Sequence, residues 1–450
     1  MRVIIIGAGE VGYDVARMLS SEQHDVVVID LDGHALKHVQ EKLDVMTLQG
    51  NGTSAEVLGE AGVARSDMLI AVTAVDEVNI IACMLADRLG IAKTVARVRS
   101  DEITRRRSIL KTSDFGIDLV IHPEESAANE VVRLIRRASA TDLLNFAGGR
   151  LQLMGIRLDP DSPVIGKSVQ NLAVEHDRIT FRIMGISRGM RTILPGGGET
   201  LHRNDQVFVL ARPKYMTYVS RMMGKADKKA HDVMILGGNL VGAKVAMQLG
   251  REKDKQVKIV EPDRERAERL AEDLKNVLVI HGDATDIDLL VQEGLGEMDA
   301  FVAVTEDEES NLVTCLMAKH LGVSKTVALL SKGAYIPISQ SIGLDAAVSK
   351  KLAVSREILR YLRGKHVLSV ATIHGLDAEI IEIEANRRAA VTRKPLKDLR
   401  FPRGALIGAV LHDGEVDVAT GDTHVQPGDT AIVFAMSHLV ADVERLFEAR

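Results

Sequence analysis

The sequence predicts an α/β fold: two doubly wound parallel-sheet domains, each followed by a small α+β domain. Three observations carry this. Short apolar strands alternate with helical stretches from Val3 to Ile121. A glycine turn, Gly7-Ala8-Gly9-Glu10-Val11-Gly12, joins the first strand to the first helix. The same order of parts returns from Val233 onward in a constant register.

The opening unit reads strand, turn, helix, strand, acid. Val3-Ile4-Ile5-Ile6 is a strand, and Tyr13 to Ser20 is a helix with Val15, Met18 and Leu19 on one face. Val26-Val27-Val28-Ile29 is the second strand, closed by Asp30. Gly7 permits the tight turn, Gly9 lets backbone N–H groups approach a diphosphate, and Gly12 lets helix and strand pack closely. The helix N-terminus offers partial positive charge to phosphates. Asp30 is placed to accept hydrogen bonds from a ribose diol, which makes this a Rossmann-like nucleotide site. An acid there disfavours a 2′-phosphate, because like charges ~4 Å apart repel by about 1 kcal/mol in water. NAD, ATP or ADP therefore fits better than NADP.

Further along, Val45 to Leu48 is a strand leading to the turn Gly50-Asn51-Gly52-Thr53-Ser54, with a helix from Ala55 to Ala61. Met68 to Val72 is a buried strand ending at Thr73, and Asp76-Glu77 opens a helix from Asn79 to Leu89. Thr94 to Val98 and Leu119 to Ile121 complete the sheet. Ligands of such sheets sit at the carboxyl ends of strands, where Asn51, Thr73 and Arg97 lie. Residues 1–123 thus form the first Rossmann-like domain. His122-Pro123-Glu124-Glu125 starts a bridging helix over 124–145. A hairpin-rich small α+β domain occupies 146–226, with the linker Gly224 to Ala230 after it.

The second copy, 231–350, has Gly237-Gly238-Asn239-Leu240-Val241-Gly242 after its first strand and Glu261 after its second. Asp283, Thr305, Asn311 and Cys315 stand where the first copy has Asn51, Thr73, Asn79 and Cys83. A second bridging helix, 351–365, and a second small α+β domain, 366–450, follow. Asn239 replaces Gly9, and a side chain there crowds the approach of a diphosphate. Leu329 replaces Arg97. The first site is therefore expected to be the tighter one, and the second to be weaker or to prefer another nucleotide. Arg97 itself reads equally as a ligand contact or a subunit salt bridge.

Composition narrows the function classes. Of 450 residues, 46% are hydrophobic and 27% charged, as in a soluble globular protein, and length alone suggests about three domains. Aromatics are 3% and Trp is absent, so the core is aliphatic. The 57 basic and 63 acidic residues are interspersed, and the net charge of -6 gives no support for nucleic-acid binding. Arg105-Arg106-Arg107 reads as a solvated helix face. No apolar run reaches the about 18 residues of a membrane span, and the N-terminus lacks a signal-peptide layout. Cys83 and Cys315 read as buried small hydrophobes, consistent with a reducing cytosol. The histidines show no ligand spacing, so no metal site is expected. The acidic loop Glu306-Asp307-Glu308-Glu309 reads as a solvated helix N-terminus in preference to a divalent-cation site.

These motifs together resemble the TrkA family, whose members carry paired RCK (KTN) domains. The glycine loop, the acid after the second strand, the GD/NxT turn and the AVT–acidic loop–Asn helix recur in the same order in both halves. The resemblance spans nearly the full chain. It implies a non-enzymatic cytosolic regulatory subunit of a Trk-type potassium uptake system. It also implies a homotetrameric ring, peripheral on the inner face of the membrane through a TrkH-like channel subunit, and NAD(H) or ATP/ADP as ligand. Carried over by position, Gly7, Ala8, Gly9, Glu10, Val11, Gly12, Asp30, Asn51, Gly52, Thr73, Ala74 and Arg97 line the first pocket. Gly237, Gly238, Asn239, Leu240, Val241, Gly242, Glu261, Asp283 and Thr305 line the second. The rival class is an NAD-dependent dehydrogenase. It needs a substrate domain with an acid–base residue, whereas the C-terminal half repeats the nucleotide fold.

Overall fold

A computed structural model describes residues 1–99, 111–137, 139–177, 179–189, 191–225, 229–283, 285–332, 335–336, 339, 342–362, 367–372 and 377–448. The arginine run at 105–107 and the middle of the expected linker lie outside them. Among the described residues the strands form four sheets.

The first sheet holds β1 (Arg2–Ile6), β2 (Asp25–Asp30), β3 (Met46–Gln49), β4 (Met68–Ala71), β5 (Thr94–Arg97) and β6 (Leu119–Ile121), all parallel, in the order β3-β2-β1-β4-β5-β6. The order reverses between β1 and β4, so a crevice opens at their carboxyl ends. Helices α1 (Glu10–Ser21), α2 (Gly33–Lys42), α3 (Ala55–Glu60) and α4 (Asp76–Arg88) cover the faces. Uninterrupted apolar strands follow from burial on both faces: Val3 and Ile5 join one core, Ile4 and Ile6 the other.

The bridging helix α5 (Pro123–Arg136) is shorter than the sequence suggests. The expected helix over 124–145 gives way to strand β7 (Asp142–Phe146), which pairs antiparallel with β8 (Leu151–Arg157). The reason is tertiary. Pairing with β8 satisfies the backbone and buries Phe146, which helix propensity alone does not anticipate. With β9 (Phe181–Arg188), β10 (Arg191–Ile193) and β11 (Gln206–Ala211) these make an antiparallel sheet, covered on one face by α6 (Val169–Glu175) and α7 (Met216–Met222).

The second half repeats this: β12 (Asp232–Leu236), α8 (Leu240–Leu249), β13 (Gln256–Glu261), α9 (Arg264–Asp273), β14 (Val277–His281), α10 (Ile287–Gln292), β15 (Ala300–Ala303), α11 (Glu308–His320), β16 (Lys325–Leu329) and β17 (Ala346–Val348). Its parallel sheet has the same strand order as the first. Then come α12 (Lys350–Leu362), β18 (Val367–Thr372), β19 (Ala378–Glu384), β20 (Ala405–His412), β21 (Glu415–Val418), β22 (Thr430–Met436) and α13 (Val440–Phe447).

The chain divides into two compact units. One is Met1–Ala127 with Lys350–Leu362, so α12 from the second half completes the first Rossmann-like core. Val354, Ile358 and Leu362 sit in one cluster with Val15 and Leu19 of α1. The other unit is Ala128–Ser349 with Arg363–Arg450. Within it the rest of α5 meets α8, with Gln248 donating to Asn129 at 2.8 Å and Arg136 paired with Glu252 at 2.7 Å. The two small sheets of this unit share a core. Period-2 alternation sends Phe208 and Leu210 of β11, and Ile432 and Phe434 of β22, into one common cluster. Their neighbours Val207, Val209, Ala431 and Val433 face the helices of their own sheets. A Cβ at Gly408 would come within 2.2 Å of Met184 Sδ, so that glycine sets the closeness of the two sheets.

Candidate functional site

The parallel register gathers the first set of residues at one edge. Ile6 pairs with Ile29 and Ala71, which brings the Gly7 loop, Asp30 and Thr73 side by side. Arg97 ends β5, and Asn51 lies two residues beyond Gln49, the β3 partner of Asp30.

The three loop glycines have different duties. Gly7 has φ +106°, a left-handed conformation that favours glycine. A Cβ on Gly12 would lie 1.7 Å from Gly7 O, so the close helix–strand contact excludes any larger residue. Gly9 is exposed, and a Cβ there would meet nothing within 4 Å. The fold does not need that glycine; what it leaves is open space in front of α1. Among the described residues no side chain caps α1, so its leading N–H groups face that space. Asp30 braces the loop: its carboxylate accepts from Ala8 N at 2.5 Å and Asp32 N at 2.9 Å, while the residue stays half-buried at the rim.

Asn79, fully buried on α4, staples the β4 end. Its Oδ1 accepts from Thr73 N at 2.9 Å and Thr73 Oγ1 at 2.8 Å. Its Nδ2 donates to Thr73 O at 3.2 Å and Arg97 O at 2.9 Å. Asn51 shapes its own turn by accepting from Thr53 N and Oγ1 at 3.0 and 2.8 Å. Gly52 lies against Ile6, where a Cβ would come within 2.3 Å of Cγ2, so its smallness serves packing. Ala74 O receives a hydrogen bond from Arg99 Nη2. Arg97 is engaged by Glu124 at 2.9 Å, a partner within the chain that the sequence reading did not consider. Arg97 Nε and Glu124 Oε2 are buried without a hydrogen-bond partner among the described residues.

The second set keeps the frame. Gly237 has φ +100°, and a Cβ on Gly242 would lie 1.9 Å from Gly237 O. Thr305 and Asn311 repeat the staple, at 2.9 Å from the amide and 2.7 Å from the hydroxyl. Asp283 repeats the Asn51 turn on Thr285, whose two hydrogen bonds hold its carboxyl below the usual range.

The opening, however, is closed. Asn239 folds inward and caps α8: Oδ1 accepts from Val241 N at 3.0 Å and Gly242 N at 3.1 Å, and Nδ2 donates to Val304 O at 2.5 Å. Two of the leading amides of α8 are thereby occupied by the chain itself. Glu261 is 1% exposed, bonded to Gly238 N at 2.6 Å and Asp263 N at 2.9 Å, and Arg266 lies 3.4 Å away. Leu270 fills the space over Gly238, where a Cβ would come within 2.4 Å of Cδ1. The first half has Ala8 and Val39 at these two positions, a complementary exchange of volumes. Leu240 is exposed beside the closed loop.

Sequence reasoning missed two features of the first site. The role of Asn79 as staple was readable only as a repeated letter. Lys351, on α12, places its ammonium 3.6 Å from Glu10 and 3.8 Å from Asp14. Nothing in the spacing of a residue so far along the chain signals that position.

The acids of the 306–309 loop have partners: Asp307 caps α11, and Glu309 pairs with Lys332 at 2.5 Å and Tyr335 at 2.9 Å. Among the described residues no cluster of His, Cys, Asp and Glu could hold a metal ion, and no helix is long and apolar enough to cross a membrane.

Comparison with known proteins agrees with this duplication. The TrkA-N domain family matches residues 3–123 and 233–350, and the TrkA-C domain family matches 153–224 and 380–448. A similar protein is Trk system potassium uptake protein TrkA homolog 2 of Methanosarcina mazei, 36% identical over 455 residues and covering 100% of both chains. Another is Trk system potassium uptake protein TrkA of Halomonas elongata, 34% identical over 453 residues, covering 100% of this chain and 99% of the other. Among solved structures, the GsuK channel bound to NAD has a TM-score of 0.63 at 20% identity, over 100% of this chain and 79% of that one. The GsuK RCK domain has a TM-score of 0.62 at 17% identity, over 100% and 95%. At these identities the two structures speak for the fold.

Proposed function

This chain belongs to the TrkA family, and from that premise we propose that it is a nucleotide-responsive regulatory subunit of a Trk-type potassium uptake system. It binds NAD(H) or ATP/ADP in the first pocket, without turnover, and its ligand state biases a membrane channel subunit of the TrkH type. It works as a homotetrameric ring on the inner face of the membrane. The observation that carries the reading is the open first loop. Uncapped N–H groups of α1 face a space that no Cβ contact fills, next to the rim carboxylate of Asp30. That arrangement suits a diphosphate and a ribose. Gly7, Gly12 and Gly52 shape the pocket, and the Thr73–Ala74 edge borders it. Structures of one neighbour, GsuK, bound to NAD and bound to ADP support an adenine nucleotide as the ligand class.

A ligand moves such an assembly only through unequal affinity for its two states. Shifting a gate from 1:99 to 99:1 takes about 5.5 kcal/mol, and several sites in one ring can share that. In this reading the second pocket is a structural copy that takes a diphosphate weakly or not at all.

The test is a calorimetric panel of NAD, NADH, ATP and ADP on the purified chain, with mass measured in each state. Binding of at least one at one tight site per chain, lost in Asp30→Ala, is expected. No binding of any of the four ends the reading, and steady turnover of NADH with a small substrate favours the dehydrogenase instead.

A further inference from the structure

We infer that Lys351 completes the first pocket as a cation that reads the phosphate charge of the nucleotide; this rests on the proposal that the pocket takes a nucleotide at all. The residue belongs to the second half of the chain, but its helix does not stay there. Val354, Ile358 and Leu362 of α12 lock that helix into one core with Val15 and Leu19 of α1. The first turn of α12 is thereby held beside the first turn of α1. Lys351 Nζ lies 3.6 Å from Glu10 Oε2 and 3.8 Å from Asp14 Oδ2. Glu10 is the first residue of α1, next to the open position at Gly9. Both separations exceed hydrogen-bond length, so the ammonium neutralises the two acids without being fixed by either.

Its place in its own helix is electrostatically awkward. A cation in the first turn of a helix opposes the macrodipole. The first half follows the favourable rule: Glu124 stands three residues past the last strand of its sheet, with Glu125 beside it. Lys351 stands three residues past β17, the corresponding place, preceded by Lys350. The second half thus carries a cation where helix stability alone asks for an acid. Its side chain is 14% exposed, against 69% for Glu10, so it is held against the first turns of α1 and not spread into solvent. Phosphates docking on the α1 amides would repel Glu10. Lys351 cancels that repulsion, and its flexible stem lets the ammonium turn from Glu10 to a phosphate oxygen.

The experiment compares ADP with adenosine by calorimetry on the full chain, for the wild type, Lys351→Gln, Lys351→Arg and Glu10→Gln, at low and high salt. Loss of the cation is expected to weaken ADP about ten-fold, as one charge-assisted contact would. Adenosine binding stays unchanged, and the salt dependence of ADP binding flattens. Lys351→Arg keeps wild-type affinity, and Glu10→Gln tightens ADP. Wild-type ADP affinity in Lys351→Gln overturns the inference while leaving the pocket's nucleotide reading intact. So does an equal loss for ADP and adenosine, which marks a packing role. If Lys351→Gln does not fold, unchanged ADP affinity in Glu10→Gln overturns it on its own. A wild type that binds no nucleotide removes both readings together.

Discussion

At Gly9 a Cβ would meet nothing within 4 Å, whereas its counterpart Asn239 turns its side chain onto Val241 N, Gly242 N and Val304 O. Asp30 stays half-buried at the rim, whereas Glu261 is drawn under the loop with Arg266 beside it. Around these differences the frame is unchanged, down to hydrogen bonds of 2.9 Å from Thr73 N to Asn79 and from Thr305 N to Asn311. The comparison separates two kinds of glycine. Gly7, Gly12, Gly237 and Gly242 are demanded by backbone geometry, so both copies keep them. The fold makes no such demand at Gly9, and the copy with Asn239 uses the position to cap α8.

The largest effects should therefore fall equally on both halves. Gly12→Ala and Gly242→Ala each drive a methyl into a backbone oxygen. Each is expected to cost about 3 kcal/mol or more, read as a drop in melting temperature. Tolerance of the change in one half would mean that the two copies do not share an equally strict frame. Next are Asn79→Ala and Asn311→Ala, each leaving buried backbone groups without partners. About 2 kcal/mol from each is expected by denaturant titration, again alike in the two copies.

The halves should part company at Gly9→Asn. Space is open there, so the new side chain can cap α1 as Asn239 caps α8. Stability should hold or rise by a few tenths of a kcal/mol. Nucleotide affinity should fall at least about ten-fold, because cap and phosphate compete for the same amides. Retained affinity would mean that the amides of α1 are not what holds the ligand.

The smallest effect concerns the small sheets. Arg188 at the end of β9 holds buried Asp205 with two bonds, of 2.8 and 2.9 Å. At the corresponding end of β20, His412 holds buried Asp429 at 2.6 Å. The hydrogen bond to Asp429 raises the imidazole above its ordinary 6.5. A raised folded-state value means a stabilisation fully present below 6.5 and lost as pH rises through the raised value. Amide exchange of the β20–β21 hairpin should therefore speed up on moving from acidic to mildly alkaline pH, beyond the intrinsic base-catalysed increase. The β9–β10 hairpin, fastened by an arginine that does not titrate there, should show only that intrinsic change.

Much of this was legible in the sequence because it is local. A glycine needing positive φ, an acid closing a strand and an Asx turn such as Asn51–Thr53 are set within a few residues. The duplication made each of them readable twice. The inward turn of Asn239 was half legible: the crowding follows from any side chain, the capping from the choice of asparagine. The bridging helix was overextended at its C-terminal end, because β7 exists through its pairing with β8. The Arg97–Glu124 pair and the position of Lys351 depend on where helices return to the sheet, which no local pattern encodes.

The common core of the two small sheets, with Phe208 and Phe434 in one cluster and Gly408 against Met184, has a kinetic consequence. Both halves of that pseudo-symmetric pair travel on one polypeptide, so their meeting is first order and indifferent to protein concentration. Dilution, which splits a pairing of separate chains, leaves this one together.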